Sequence, residues 1–360
     1  MNKADGMNYA PSGKPKPVVK KGEFVFAAIA LDHGHIYGMC NGLVEAGGTL
    51  KYVFDQNRDR AEEFSKKYDG VIIASSEEEI LNDPEVKLVA SAAITSLRCE
   101  LGIRVMNAGK DYFTDKAPLT TLEQLELAKE AVKRTGRKYM VYYSERLHVE
   151  GAVLAGQLVK SGAIGKVMQV TGFGPHRLNA KSRPDWFFQK ELYGGILCDI
   201  GSHQIEQFLY YADVKDATIT ASQVANYNHQ EYPELEDFGD AMLRGDNGAT
   251  HYFRVDWFTP DGLRTWGDGR TIILGTKGYI EMRKYINVAV EESGNHVYLV
   301  NDEGEFYYNA TDKVGYPFFG ELILDCINRT ENAMTQEHAF KAAELCVRAQ
   351  NQAVKIGFNN

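Results

Sequence analysis

Apolar positions in the first part of the chain come in short unbroken runs, each followed by an amphipathic stretch. Residues 24–31, Phe-Val-Phe-Ala-Ala-Ile-Ala-Leu, form the first run. A run of that length, rich in aromatic and aliphatic residues, predicts a buried strand. A turn at Asp32-His33-Gly34-His35 follows, then a helix from Ile36 to about Glu45 that Gly47-Gly48 stops. The alternation repeats, with strands over 50–54, 71–74, 86–92, 112–114 and 138–142. Helices are predicted between them over 58–68, from Ser76, over about 97–107, and from Thr120 to Arg134. Ser76 with Glu79, and Thr120 with Glu123, carry capping-box signatures. Strands alternating with helices of this length predict crossover units and a parallel sheet with helices on both faces.

The pattern changes after Ser144. One long helix, about 149–160, leads into strands over 166–173, 217–225, 249–257, 271–275 and 279–283, with few helices among them. Turns such as Asp246-Asn247-Gly248 and Gly294-Asn295 separate them. This predicts a second, largely antiparallel sheet, closed by helices over 317–328 and 335–356. The expected class is α/β, with an N-terminal Rossmann domain on a parallel sheet and a C-terminal α/β domain on a large, mostly antiparallel open-faced sheet. The expected boundaries are a flexible N-terminal arm over 1–22, a dinucleotide-binding domain over 23–144, and a substrate-binding and oligomerisation domain over 145–360.

Composition narrows the partners. A chain of 360 residues exceeds what one core usually serves. The net charge is −9, and no basic cluster suggests nucleic acid or an anionic membrane surface. The five cysteines, Cys40, Cys99, Cys198, Cys326 and Cys346, are scattered and contain no CxxC pair, which fits a reducing, cytoplasmic setting. The apolar runs are strand-sized, too short for a membrane helix. Residues 1–21 are polar with three prolines and lack the apolar centre of a secretory signal. They read as an arm that could lie on a neighbouring subunit.

A strand feeding a tight turn into a helix N-terminus is the form of a pyrophosphate site, where backbone N–H groups and the helix dipole meet the anion. Here the usual GxGxxG fingerprint is degraded: Ala30-Leu31-Asp32-His33-Gly34-His35-Ile36-Tyr37-Gly38 keeps only Gly34 and Gly38, and an Asp stands where a glycine is expected. Asp55 follows at roughly the 20-residue spacing at which a carboxylate accepts the ribose hydroxyls of NAD. It would repel the extra phosphate of NADP, whereas Arg58 and Arg60 nearby could accept it. NAD is therefore the expected cofactor, with NADP as the alternative.

Three further stretches carry a family resemblance: Gly109-Lys-Asp-Tyr-Phe-Thr-Asp115-Lys116-Ala117-Pro118, Gly194-Gly195-Ile-Leu-Cys-Asp199-Ile-Gly201-Ser-His203-Gln-Ile-Glu206, and Asn82-Asp83-Pro84-Glu85-Val86. With the first turn and Asp55, they resemble the glucose–fructose oxidoreductase / inositol dehydrogenase (Gfo/Idh/MocA) family over about residues 24–356. Besides the degraded glycine fingerprint, the chain departs from the family pattern in three places. Its Glu-Lys-Pro is here Asp115-Lys116-Ala117-Pro118, its DxGxHxxD ends in Glu206, and its Pro-Asn-x-x-His is Ile94-Thr95-Ser96-Leu97-Arg98. The resemblance implies hydride transfer between a nicotinamide cofactor and a hydroxyl-bearing carbon of a sugar, inositol or glycoside. It also implies a homodimer or homotetramer built on the open face of the second sheet. Two other readings are a glycoside ring oxidation with tightly bound cofactor, leading to glycosidic-bond cleavage, and a non-catalytic dinucleotide- or sugar-binding protein.

The residues support specific roles. Asp199, His203 and Glu206 fall at i, i+4 and i+7, on one helical face if a helix starts near Asp199. His203 is the expected general base, because an imidazole titrates near neutrality. Asp199 is expected to share the proton or bind hydroxyl, and Glu206 to orient the imidazole. Lys116, at the carboxyl edge of the sheet, is the ammonium that would favour the alkoxide. The expected cofactor contacts are Asp32, His33, Gly34, His35, Ile36, Asp55, Arg98, Asp115 and Lys116. The expected substrate contacts are Lys116, Glu145, Arg146, His176, Trp186, Asp199 and His203. A metal reading through Asp199, His203, Glu206, His33 and His35 lacks an HExxH or Cys-rich signature, and no metal is expected.

Overall fold

The computed structural model describes residues 5–358. Its chain divides into two compact units. The first contains residues 7–142 and 315–340. Its elements run β1 (Val25–Ile29), α1 (His35–Glu45), β2 (Thr49–Phe54), α2 (Arg58–Ser65), β3 (Ile72–Ile73), α3 (Glu77–Asn82), β4 (Val86–Ser91), α4 (Arg98–Asn107), β5 (Asp111–Asp115), α5 (Leu122–Thr135) and β6 (Tyr139–Tyr142). The strands form one sheet in the order β3-β2-β1-β4-β5-β6, and every pairing in it is parallel. The order reverses between β1 and β4, so the crevice outside their carboxyl ends is the place where such sheets bind ligands.

Local chemistry explains the element ends. The Ser76 hydroxyl accepts from Glu79 N–H, as expected. The next predicted cap lies one residue further on: Thr121 accepts from Gln124 N–H, while the Gln124 side chain accepts from Thr120 N–H. Gly42 allows close helix packing, because a Cβ there would stand 2.3 Å from the Phe319 ring. That contact brings residues 315–340 into this unit, although the sequence placed them with the second sheet.

The N-terminal segment differs from its expectation as well. Residues 1–4 lie outside the described residues, but those after them lie on their own chain. Gly13 N–H donates to Glu45 Oε1 at 2.6 Å, the Pro11 carbonyl accepts from Asn41, and Val18 N–H donates to the Ala46 carbonyl. Polar, proline-rich composition hid this packing, which rests on backbone groups.

The second unit holds residues 143–314 and 341–358, with Asp5 and Gly6. Its elements run α6 (Ser144–Leu147), α7 (Glu150–Lys160), β7 (Val167–Pro175), α8 (Lys190–Tyr193), α9 (Ile196–Asp199), α10 (Gly201–Tyr211), β8 (Ala217–Ala225), β9 (Phe238–Gly245), β10 (Thr250–Asp256), β11 (Arg270–Gly275), β12 (Gly278–Arg283), β13 (His296–Asn301) and β14 (Gly304–Asn309). After α11 (Pro317–Asn328) in the first unit, α12 (Gln336–Gln352) and β15 (Val354–Lys355) end the chain. The nine strands are ordered β14-β13-β12-β11-β7-β10-β9-β8-β15; only β10–β7 and β15–β8 pair in parallel. Helices α7 and α10 cover one face. Exposed Met168, Met242, Ile272, Leu274 and Tyr279 stand on these strands.

Candidate functional site

In the first unit, β1 ends in a turn whose backbone compensates for the degraded fingerprint. Ala30 adopts a left-handed φ of 59°, a conformation that favours glycine. Its N–H donates to the Phe54 carbonyl, and its carbonyl accepts from Ala92 N–H, so the turn is pinned to both neighbouring strands. Gly34 precedes α1, and its N–H has no hydrogen-bond partner among the described residues. An orphan donor at a helix N-terminus suits a phosphate oxygen. Ile36 is fully buried and faces the core.

Beside this turn, Asp55 accepts Leu31 N–H at 2.7 Å and Asn57 N–H at 2.8 Å, one on each oxygen. Arg60 Nη1 bridges Asp32 Oδ1 at 2.6 Å and Asp55 Oδ2 at 3.1 Å. The other Asp32 oxygen accepts Ile94 N–H at 3.3 Å.

His33, His35 and Asp115 meet nearby. Asp115 is wholly buried, with Oδ1 2.9 Å from His35 Nδ1 and Oδ2 3.4 Å from His33 Nδ1. Burial opposes its charge, but His35 and the Arg98 guanidinium, 3.2 Å away, overcome it and hold the carboxyl well below the usual range. Burial, assisted by His35, Lys116 and Arg98, keeps His33 neutral, with its pKa well below the ordinary value. These three donors are close enough to hold a metal ion; Asp199, His203 and Glu206 form no such group among the described residues. The Arg98 guanidinium is the cation paired with Asp115 within this group.

Lys116 is 6 % exposed and follows β5, and its N–H donates to Asp115 Oδ1. The Lys116–Ala117 peptide is cis. Arg98, expected as a cofactor contact, is instead deeply buried. Its donors go to the carbonyls of Ala93, Lys116 and Ala117 and to Asp115, so it fixes the backbone that presents Lys116.

In the second unit, Glu145 on α6 is the centre of a buried network. Its Oε2 accepts from Lys284 Nζ at 2.6 Å and from Gln204 Nε2 at 3.2 Å. Its Oε1 is buried without a hydrogen-bond partner among the described residues. Burial raises this carboxyl, but Lys284, with His203 and His176 nearby, brings it down to about 2. Lys284, which follows β12, is fully buried. Sequence reasoning missed it, since lysine is normally exposed and its partner lies 139 residues away.

His203 lies on α10 and is 2 % exposed. Asp199 ends the short α9 and α10 starts at Gly201, with Ile200 between them in helical conformation (φ −77°, ψ −38°). Glu206 pairs with Arg146, whose guanidinium also covers the Tyr210 ring at 3.9 Å. Arg146, expected at the substrate, and Glu206, expected behind the histidine, form one buried ion pair.

His176 packs against Trp266 and Trp257 at 4.6 and 5.5 Å between ring centroids. Buried Arg183 lies over Phe187 and Trp257, and Trp257 Nε1 has no partner among the described residues. Trp186 is half-buried beside Phe187. Aromatic faces next to open donors and acceptors suit a polyhydroxylated ring.

A parallel doubly wound sheet with a phosphate-type turn, joined to an open-sheet α/β unit, defines a two-part dinucleotide-dependent oxidoreductase. An NAD-binding Rossmann oxidoreductase family model matches residues 30–143, and a Gfo/Idh/MocA C-terminal domain model matches residues 153–281. The chain belongs to the Gfo/Idh/MocA oxidoreductase family. A crystal structure of a candidate oxidoreductase from Erwinia carotovora atroseptica is 53% identical, with a TM-score of 0.90, and the match covers 93% of this chain and 100% of that one. D-xylose dehydrogenase of Paenarthrobacter nicotinovorans is 31% identical over 154 residues, 41% of this chain and 39% of that protein. The NAD-dependent scyllo-inositol 2-dehydrogenase of Bacillus subtilis is 27% identical over 241 residues, 65% of this chain and 66% of that protein. The matches thus span about two fifths of the first of these enzymes and just under two thirds of the second. No helix among the described residues is long and apolar enough to cross a membrane.

Proposed function

We propose that this chain is an NAD(P)-dependent dehydrogenase acting on a hydroxyl-bearing carbon of a sugar, inositol or glycoside. The observation that carries the reading is the buried Glu145–Lys284 network, with an unpartnered carboxylate oxygen in the field of His203 and His176. The first unit would hold the dinucleotide, with Gly34 N–H and the α1 N-terminus available to the pyrophosphate and Asp55 to the adenosine ribose. The nicotinamide, when bound, supplies the hydride acceptor.

The residues handle the proton and the substrate. His203 accepts the hydroxyl proton. Asp199 binds the substrate or shares that proton, and the Lys116 ammonium stabilises the oxygen as it becomes negative. Glu145 accepts from a neighbouring hydroxyl through its unpartnered Oε1. His176 and Trp186 supply ring faces. We assign the exposed apolar residues of the second sheet to a homodimer or homotetramer contact. The five free, buried thiols fit a cytoplasmic location.

The test is to release and identify any dinucleotide from the purified protein, then screen polyols and glycosides for reduction of added NAD and NADP. Reduced coenzyme formed with at least one polyol is expected. Failure of either dinucleotide to bind at millimolar concentration contradicts the reading.

A further inference from the structure

We propose that Asp32, which stands in a glycine slot of the fingerprint, sets the coenzyme preference by holding Arg60 against Asp55. The proposal rests on the dinucleotide reading above. An Asp at the end of β2 ordinarily decides this preference alone, with a nearby arginine as its competitor for the NADP phosphate. In this chain the competitor is restrained. Both hydrogens of Arg60 Nη1 point into carboxylates, at 2.6 Å to Asp32 and 3.1 Å to Asp55.

The cluster holds two carboxylates and one guanidinium, a net charge of −1 where the 2′-phosphate of NADP would arrive. Asp55 cannot turn away, because Leu31 N–H and Asn57 N–H grip one oxygen each. With Arg60 it has filled three of its roughly four acceptor positions, which leaves one on Oδ1 for a ribose hydroxyl. Asp32 is fixed in turn by Ile94 N–H. Removing the charge at 32 leaves Asp55 and Arg60 as a neutral pair and frees one guanidinium hydrogen for a phosphate oxygen. The aspartate that breaks the fingerprint thus has a selective use.

The experiment measures the dissociation constants of NAD and NADP for the intact chain by calorimetry, in wild type, Asp32→Asn, Asp32→Gly, Arg60→Ala and Asp32→Asn/Arg60→Ala. Circular dichroism confirms that each variant folds. Wild type is expected to hold NAD more tightly. In both Asp32 variants the ratio of NADP to NAD dissociation constants falls about tenfold, the scale of one unit charge at a partly exposed site. Arg60→Ala weakens NADP only, and in the double variant the gain disappears. An unchanged ratio in folded Asp32→Asn and Asp32→Gly, a gain that survives loss of Arg60, or a wild-type preference for NADP overturns the proposal. Wild type binding neither dinucleotide is a separate result, which removes the functional reading itself.

Discussion

Replacing Lys284 by Met leaves the Glu145 carboxylate buried without its cation. In the native protein this carboxyl lies at about 2 against an ordinary 4.5. At about 1.4 kcal/mol per pH unit, the ion pair and its neighbours contribute about 3 kcal/mol. The pKa is depressed on folding, so this contribution is complete above about 4.5 and is lost as the pH falls through 2. In Lys284→Met the sign inverts, because burial then raises the carboxyl above its unfolded value. The variant should lose about 3–5 kcal/mol at pH 7. It should recover part of this loss relative to wild type at pH 5, where protonation removes the stranded charge. Adding Glu145→Gln should restore most of it at pH 7.

The assay is urea unfolding followed by tryptophan fluorescence. The chain has three tryptophans, Trp186, Trp257 and Trp266, and all lie in the unit that contains this network, so the signal reports it directly. A loss below about 1 kcal/mol, or no recovery in the double variant, would refute the reasoning.

His203→Ala and Lys116→Ala should each lower turnover by roughly 10²–10⁴-fold with dinucleotide binding nearly intact; steady-state kinetics and calorimetry check both halves. Ala30→Gly should raise stability by about 0.5–1 kcal/mol, since the left-handed φ of 59° penalises a Cβ, and a thermal melt reads the gain. Ile272→Glu combined with Leu274→Glu, on the exposed side of β11, should convert the proposed homo-oligomer to monomers in light scattering while coenzyme binding persists.

The elements readable from sequence were those whose pattern follows from local burial. Residues 217–225 and 317–328 were placed to the residue, and the six parallel strands to within a few. Strand β9, Phe238–Gly245, was missed because glycines and charged residues interrupt its alternation, although every second residue is buried in the sheet. The site divides the same way. Gly34, Asp55, Lys116 and His203 stood in readable motifs. The partners of Glu145 and the assignment of Arg146 to Glu206 depend on residues distant in sequence. In the sequence Asp32 only interrupts a motif; its contact with Arg60 exists in the fold alone, since the two lie 28 residues apart.

The central claim is hydride transfer from a carbon bearing a hydroxyl. The direct measurement is to incubate the protein with NAD or NADP and carbon-deuterated xylose, glucose or inositol, extract the coenzyme, and weigh it by mass spectrometry. The account predicts reduced coenzyme carrying one deuterium from at least one polyol, and none from the His203→Ala protein in the same time. Reduced coenzyme without label, or bound coenzyme that stays oxidised with every polyol, would contradict it.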